Sequence, residues 1–311
     1  SMAGCGNFGQ NGAVRRPPAY GVIEVAARLA PGQGGRAVMS QQGGSARRVG
    51  ERSYWQHIPD VFAAMGPPLR PAPSVVAQVR AAIDGCTRHV LLLGVTPELA
   101  SLGERLVAVD RQPAMVERHW SGDDDHRRVL IGDWRSLPLA DASIDSVIGD
   151  GCLSVLPSSE RAGLLRELQR VLRPGGRLVL RLFCAPESIE TPSDVHVAAM
   201  QGGSANFWAF RWRWMMAIAA SHPGYDLPVH AAWQAFDAIV DRAALAQATG
   251  WQRALIDTMD RYRDSSDVYC FAPMASVLAG VPAGFDNVRL VATQGYELAE
   301  RCPLLLAERG V

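Results

Sequence analysis

The sequence lacks a net charge and a long apolar run. Its 31 basic and 31 acidic residues cancel to a formal net charge of +0, so the chain has no basic surplus of the kind that favours nucleic acid. No apolar run approaches the roughly 20 residues that span a bilayer. We therefore expect no nucleic-acid partner and no membrane partner.

The sequence also lacks paired cysteines and a secretion signal. The six cysteines are Cys5, Cys86, Cys152, Cys184, Cys270 and Cys302. None forms a C-x-x-C pair, which argues against both a zinc site and a disulfide framework. The first residues show no charged segment followed by an apolar one. These absences predict a cytoplasmic protein without a metal.

Residues 1–50 differ in composition from the rest of the chain. They are rich in Gly, Ala, Gln and Arg, which predicts a disordered tail that carries no chemistry. Two interpretations remain open. Either translation naturally starts at Met39, with residues 3–38 as upstream sequence and Ser1 as an added residue, or the tail is native.

The most informative stretch lies between Val90 and Asp110. An apolar run, Val90–Leu93, ends at Gly94, and Thr96-Pro97-Glu98 has the composition of a helix start, which predicts a helix up to Leu102. A second apolar run ends on Asp110, sixteen residues after Gly94. A strand, a tight turn, a helix and a second strand ending in a carboxylate are typical of a nucleoside-binding unit.

The same alternation continues along the chain and predicts the fold. Further apolar runs predict strands at 127–131, 144–148, 177–183, 287–292 and 302–307, with an amphipathic helix from Ser158 or Ser159 to Leu172. The predicted class is α/β: a doubly wound, mostly parallel sheet with a terminal antiparallel strand pair and a helical lid insertion. The predicted domains are an N-terminal helical segment at 51–84, a Rossmann-like core at 85–185, a lid at 186–260 without a clear strand, and the last helix and strand pair at 261–311.

Four segments in order resemble the class I S-adenosylmethionine-dependent methyltransferases of the small-molecule type. They are Leu91–Glu98, Val107–Asp110, Ile131–Trp134 with Leu137-Pro138-Leu139, and Leu172–Leu180. The resemblance covers residues 75–185 well and 265–311 loosely. It implies S-adenosyl-L-methionine as cofactor and methyl transfer to a small-molecule acceptor by a monomer or homodimer.

The resemblance also implies site residues. The implied cofactor-binding residues are Gly94, Thr96, Asp110, Arg111, Asp133, Trp134, Asp150 and Gly151. Asp110 would hold the ribose and Asp133 the adenine amino group. Trp134 would line the adenine pocket or be a loop aromatic. Asp150 would hold the cofactor's amino group or the acceptor, or cap a helix.

The chain departs from the family pattern at two places. Thr96 and Glu98 stand where two further glycines are usual, and Leu92 stands where an acidic residue is common. The missing glycines argue against a dinucleotide dehydrogenase, whose pyrophosphate needs them. The segment from Asp150 to Leu153 lacks the Asn- or Asp-Pro-Pro-aromatic motif of nucleobase amino-group methyltransferases.

Acceptor-binding candidates come from two aromatic segments. They are Trp208, Arg211 and Trp212 in the lid, together with Tyr54 and Trp55 before the core. The run from Asn206 to Met216 is either a helix buried on both sides, with Arg211 and Arg213 in solvent, or a lid that stacks on a flat substrate. We favour a mixed interpretation, in which one face of the helix packs and the other lines the pocket. Arg211 or Arg213 could also pair with an acidic acceptor group.

Three lid histidines are the candidates for a general base: His196, His222 and His230. A base is not required if the acceptor is already nucleophilic, because alignment alone contributes strongly to an in-line displacement. Two rival functions remain. An aminopropyl transferase would need an acidic polyamine pocket that is not evident at 186–220, and a catalytically silent binding module would be consistent with the missing glycines.

Overall fold

The computed structural model describes residues 59–62 and 64–311. The predicted tail, the start at Met39, and the acceptor candidates Tyr54 and Trp55 all lie outside the described residues.

Seven strands form one sheet. They are β1 (Val90–Leu93), β2 (Leu106–Asp110), β3 (Arg127–Ile131), β4 (Ile144–Asp150), β5 (Leu172–Arg181), β8 (Phe285–Val291) and β9 (Leu304–Arg309). Their order in space is β3-β2-β1-β4-β5-β9-β8. The first five are parallel, and β9 runs antiparallel between β5 and β8. The predicted fold class, with its antiparallel terminal pair, is confirmed.

Helices cover the sheet and build the lid. They are α1 (Pro59–Phe62), α2 (Pro73–Ala82), α3 (Pro113–His119), α4 (Ser158–Val171), α5 (Pro192–Met200), α6 (Phe207–Ala219), α7 (Val229–Ile239), α8 (Arg242–Thr249), α9 (Arg253–Ile256) and α10 (Met274–Ala279). No helix in the described part of the chain is both long and apolar enough to cross a membrane.

The central strand β1 shows why its sequence is apolar without interruption. Successive side chains of a strand point to opposite faces of the sheet. Leu92 therefore packs into the core on one face, while Leu91 and Leu93 pack into the core on the other. Both faces of this strand are covered, which is why all four of its positions are apolar.

Helix α4 follows the predicted amphipathic pattern. Leu164, Leu165, Leu168 and Val171 are its buried residues, and they recur at helical spacing, so they share one face. The chain then enters β5 directly. The predicted turn at Arg173–Gly176 is an irregularity inside that strand, where the register with β4 shifts.

The predicted helix at 97–102 is absent. The chain there makes turns, with backbone bonds from Leu99 to Thr96, from Ala100 to Pro97 and from Leu102 to Leu99. Gly103 ends the segment at φ 101°. The turn after β1 therefore has no helix dipole behind it.

The lid is helical but contains one strand. β6 (Asp226–Pro228) pairs antiparallel with β7 (Val268–Cys270), which lies beyond the predicted lid. The expectation of no clear strand was therefore wrong at this point. Helix α6 is buried at twelve of its thirteen residues, so it forms part of the core.

Replacing a buried leucine should test the core of the sheet. Leu168 of α4 is 0 % exposed and Leu278 of α10 is 37 % exposed. We expect Leu168→Ala to lower the free energy of unfolding by about 2–5 kcal/mol, because it leaves a cavity. Leu278→Ala should cost less than about 1 kcal/mol. Urea denaturation of both variants measures the difference, and equal losses would contradict this packing.

Candidate functional site

A cavity opens at the carboxyl ends of the parallel strands. Its wall includes Gly94 after β1, Asp110 at the end of β2 and Asp150 at the end of β4. Its volume is about 1070 Å³ with the open mouth included. Ligands of open α/β sheets bind at this edge, where the strand order reverses. The cavity therefore lies where small-molecule ligands bind in this class of fold.

Gly94 allows the first turn to approach the carboxylate of Asp110. Its φ is 86°, a conformation that favours glycine. A Cβ built there would lie 3.7 Å from Asp110 Oδ2 and 3.7 Å from Trp134 Cζ2. A ligand atom at this position would contact the Gly94 backbone, the Asp110 carboxylate and the Trp134 indole.

Asp110 is buried although it is acidic. The residue is 8 % exposed, and its Oδ1 accepts a hydrogen bond of 2.8 Å from the Gln112 backbone N–H. Burial raises the pKa of this carboxyl to about 6, against the opposing effects of the Gln112 bond and the Arg111 charge. Its Oδ2 faces Gly94, so the carboxylate presents an acceptor to the cavity.

Trp134 is fixed beside Asp110. Its indole N–H donates to the Val109 carbonyl at 2.6 Å, which places the ring against the end of β2. The ring and the Gly94 backbone therefore bound one apolar side of the cavity.

Asp133 is engaged by an arginine. Arg135 Nη2 lies 2.5 Å from its Oδ2, and the same guanidinium lies 2.6 Å from Glu160. The hydrogen bond from Arg135 lowers the pKa of Asp133, although burial opposes it. Asp133 lines the cavity as an anion that shares the Arg135 guanidinium with Glu160.

Asp150 forms a buried ion pair with Arg181 of β5. Two bonds join them, Nε to Oδ1 at 2.5 Å and Nη2 to Oδ2 at 3.0 Å. Arg181 is 1 % exposed. Burial alone would lower the pKa of Arg181, but the Asp150 carboxylate holds it above its usual range. Both oxygens of Asp150 are thus fixed by one planar guanidinium.

Three aromatic side chains, which we call the aromatic wall, close the other side of the cavity: Phe183, Trp212 and Tyr269. Trp212 meets Phe183 at 5.3 Å and Tyr269 at 5.9 Å between ring centroids. Phe183 packs on Gly151, where a Cβ would lie 2.5 Å from its ring. Gly151 is therefore needed for this contact.

Most of the predicted site residues meet in this cavity. Those in its wall are Gly94, Thr96, Asp110, Arg111, Asp133, Trp134, Asp150, Gly151, Arg211 and Trp212. Trp208 is not among the described wall residues. The reading that placed Arg211 in solvent is wrong, because Arg211 is 1 % exposed.

The three candidate histidines lie elsewhere in the lid. His222 Nδ1 contacts the Ile218 carbonyl at 3.0 Å, and His230 Nδ1 contacts the Arg263 carbonyl. Partial burial lowers the pKa of His196. No histidine is found among the described residues of the cavity wall. The part of the chain that the structure describes also holds no cluster of His, Cys, Asp or Glu suited to a metal ion.

Sequence reasoning missed several wall residues. They include Phe62, Met65, Leu69, Gln112, Phe183 and Tyr269. Phe183 follows β5 at the edge of the sheet where ligands bind, so its place in the sequence could have identified it as a wall residue. Tyr269 comes from β7, which is paired with the lid strand β6, and no local pattern points to it.

The chain is similar in sequence to known proteins. Residues 94–180 match the family model described as a methyltransferase domain. The carboxy-S-adenosyl-L-methionine synthase of Erwinia tasmaniensis is 37 % identical over 101 residues, which are 31 % of this chain and 40 % of that protein. An uncharacterised 37.1 kDa protein in a Streptomyces fradiae transposon is 30 % identical over 159 residues, 47 % of this chain and 46 % of that protein.

One solved structure shares the fold at low identity. A protein from Rhodobacter sphaeroides, described as a candidate Zn-dependent alcohol dehydrogenase, matches with a TM-score of 0.54 at 13 % identity, over 82 % of this chain and 97 % of that one. This likeness supports the fold alone. The chain spans less than half the length of the curated relatives named above.

The pH dependence of stability should report the burial of Asp110. Because its pKa is raised from 3.8 to about 6, the folded state holds a proton that the unfolded state has lost, and stability falls as pH rises through this window. Between pH 4 and pH 7 the wild type should lose about 2 kcal/mol relative to Asp110→Asn. Urea unfolding of the wild type and of Asp110→Asn at pH 4 and pH 7 measures this loss. If the difference in unfolding free energy between the two proteins is the same at both pH values, the pKa of Asp110 is not raised.

Proposed function

We propose that this chain, which belongs to the class I S-adenosylmethionine-dependent methyltransferases, transfers a methyl group from S-adenosyl-L-methionine to a small-molecule acceptor. The acceptor would lie against the aromatic wall. The observation that carries the proposal is the buried carboxylate of Asp110 beside the Gly94 turn, at the carboxyl ends of β1 and β2.

The cavity wall fits the nucleoside part of this cofactor. Asp110 presents Oδ2 at the turn, where it can accept hydrogen bonds from ribose hydroxyls. Trp134 and the Gly94 backbone bound a flat apolar space for a base. Asp133 lines the same region and can accept from an exocyclic amine while it remains paired with Arg135. These roles stay proposals.

The remaining wall suits an acceptor. The cofactor supplies an electrophilic methyl group, so that its S–CH3 bond breaks as the bond to the acceptor forms and S-adenosylhomocysteine is left. The chain contains no lysine, and no histidine or cysteine lines the described cavity wall. The three wall carboxylates are assigned to the ribose (Asp110) or to ion pairs with arginines (Asp133, Asp150). We therefore propose that the wall contributes by alignment and by exclusion of water, and effective molarities from alignment reach about 10⁵ M or more.

The rival functions find different support. Two of the cavity's carboxylates, Asp133 and Asp150, are already paired with arginines, which disfavours an aminopropyl transferase that binds a polyamine. The curated relative from Erwinia tasmaniensis is named for a carboxylated cofactor, so production of carboxy-S-adenosyl-L-methionine is the second candidate. Mass spectrometry of the spent cofactor distinguishes methyl transfer, which leaves S-adenosylhomocysteine, from production of carboxy-S-adenosyl-L-methionine. Absence of any turnover would favour a catalytically silent binding module.

Cofactor binding should depend on Asp110. We expect S-adenosylhomocysteine to bind in the micromolar range, and Asp110→Ala to weaken binding by at least about tenfold, because two charge-assisted hydrogen bonds are lost. Asp125→Ala, which removes an exposed carboxylate, is the matched control. Isothermal titration calorimetry measures both. Equal affinity in Asp110→Ala and the wild type would remove Asp110 from the site.

Two aromatic residues of α6 should separate binding from stability. Trp212 lines the cavity, whereas Phe210 is 0 % exposed and packs inside the lid. Trp212→Phe should leave the affinity for S-adenosylhomocysteine within a few-fold and reduce methyl transfer much more. Phe210→Ala should instead lower the free energy of unfolding by about 3–5 kcal/mol. If Trp212→Phe changes neither turnover nor product, the acceptor does not contact the aromatic wall.

A further inference from the structure

The carboxylates of the described cavity wall are already engaged within the chain. Asp133 and Asp150 form ion pairs with arginines, and the Arg111 charge acts on both Asp110 and Asp133. Asp110 lies beside Gly94, on the side of the cavity that we assign to the nucleoside. None of these carboxylates is left to pair with a charge on the methyl acceptor.

The buried arginine of the wall is engaged as well. Arg211 is 1 % exposed, and its guanidinium carbon lies 5.2 Å from the Trp208 ring centroid and 5.3 Å from that of Tyr262. It also has a further interaction within the chain. A charged group of the acceptor would therefore find no counter-charge at this wall, and the burial of an unpaired charge is costly. The described wall thus favours an acceptor without a net charge.

The aromatic wall favours a flat ring. Trp212 meets Phe183 at an angle of 86° and Tyr269 at an angle of 64° between ring planes. Rings at such angles form edge-to-face pairs, which another aromatic ring can extend. Val155 and Leu156 add apolar surface to the same cavity. The wall therefore suits an aromatic ligand better than an aliphatic one of equal size.

The described wall also lacks a free general base. Its carboxylates are engaged as described above, and the Tyr269 hydroxyl is a phenol, which keeps its proton at neutral pH. A hydroxyl acceptor would need a base to remove its proton during transfer. An uncharged nitrogen already carries a lone pair, so it needs no base to attack.

We propose that the methyl acceptor is an uncharged aromatic amine or nitrogen heterocycle, and that its own nitrogen is the nucleophile. This inference rests on the proposed function and names its acceptor class. The nitrogen lone pair forms the N–CH3 bond while the S–CH3 bond breaks, and the electron pair of that bond stays on sulfur. The positive charge thus moves from sulfur to nitrogen, and an amine then gives its N–H proton to water. The total charge in the cavity is the same before and after transfer, so the wall needs no counter-ion for the step.

The binding test uses three probes with one ring system: 2-naphthylamine, 2-naphthol and 2-naphthoate. At neutral pH the first two are uncharged and the third is an anion. The full chain, saturated with S-adenosylhomocysteine, is titrated with each by calorimetry. We expect the two uncharged probes to bind within a few-fold of each other and 2-naphthoate to bind at least about tenfold more weakly. Equal affinity of 2-naphthoate and 2-naphthylamine overturns the proposal.

The turnover test separates nitrogen from oxygen. The same probes are incubated with the full chain and S-adenosyl-L-methionine, and mass spectrometry follows the methylated products. We expect 2-naphthylamine to be methylated at least about tenfold faster than 2-naphthol, because general-base catalysis, which only the hydroxyl needs, contributes at least that much. Equal rates for the two probes, or no methylation of 2-naphthylamine, overturns the proposal.

A pair of tryptophan variants tests whether the probes bind at the aromatic wall. Trp212→Leu should weaken the binding of 2-naphthylamine at least about fivefold, because an aromatic contact is lost. Trp233→Leu is the matched control, since Trp233 on α7 bonds Asp260 at 2.9 Å and is not among the described wall residues. Equal losses in both variants contradict binding at this wall. If Trp212→Leu does not fold, the comparison of the three probes with the wild type still decides.

A separate titration with S-adenosylhomocysteine alone keeps the two proposals distinguishable. If this ligand binds and the three probes are not discriminated, the acceptor class is wrong and the proposed function stands. If this ligand does not bind, the proposed function itself fails, whichever probe the chain prefers.

Discussion

The ion pair between Asp150 and Arg181 organises the ligand edge of the sheet. It joins the ends of β4 and β5, two neighbouring parallel strands, with both charges buried. The same guanidinium donates to the Pro68 carbonyl at 2.8 Å and to the Tyr296 hydroxyl at 3.3 Å. Removal of one partner of such a pair leaves an uncompensated charge and costs about 3–5 kcal/mol.

These bonds connect parts of the chain that are far apart in sequence. Pro68 belongs to the segment that carries Met65 and Leu69 to the cavity, and Tyr296 precedes β9. The Tyr296 hydroxyl lies 2.7 Å from Thr293 Oγ1, which also bonds the Cys302 carbonyl. The loop between the terminal antiparallel strands therefore helps to fix Arg181 beside the cavity, even though those strands contribute no residue to the described cavity wall.

How much of this was predictable depends on the range of each interaction. The sheet could be predicted from local patterns, because buried parallel strands are continuous apolar runs. The amphipathic helix α4 could also be predicted, because its apolar residues recur every three to four positions. The Gly94 turn and the acidic residue Asp110 could also be predicted locally, because each stands at the end of an apolar run. The pairing of Asp150 with Arg181 spans 31 residues, and Tyr269 reaches the cavity through the pairing of β7 with β6. No short window of sequence contains either contact.

The pattern of α6 left its burial open. Its two aromatic faces were consistent with a fully buried helix, with a lid face, or with one face of each kind, and twelve of its thirteen residues are buried. Arg213 is explained by an ion pair with Glu190, which also binds Arg301 at 2.7 Å. Arg211 instead is held by rings at the cavity. Two arginines of similar local sequence thus have different environments, because tertiary contacts decide which face meets the site.

Glu98, one of the two residues that stand in place of glycine in the first turn, forms an ion pair. This residue stands where the family commonly has glycine, and its carboxylate lies 2.7 Å from Arg70. Arg70 in turn lies over the Phe62 ring at 5.2 Å, and Phe62 lines the cavity.

Glu98 therefore gives up the backbone freedom of a glycine and instead fixes the turn through its ion pair with Arg70. The ion pair connects the segment that carries Phe62 to the turn after β1, while Gly94 alone provides the close approach to Asp110. Gly94 and Asp110 still bring backbone and carboxylate together at the cavity, despite the departure at Thr96 and Glu98. That departure changes how the adjacent segment is held.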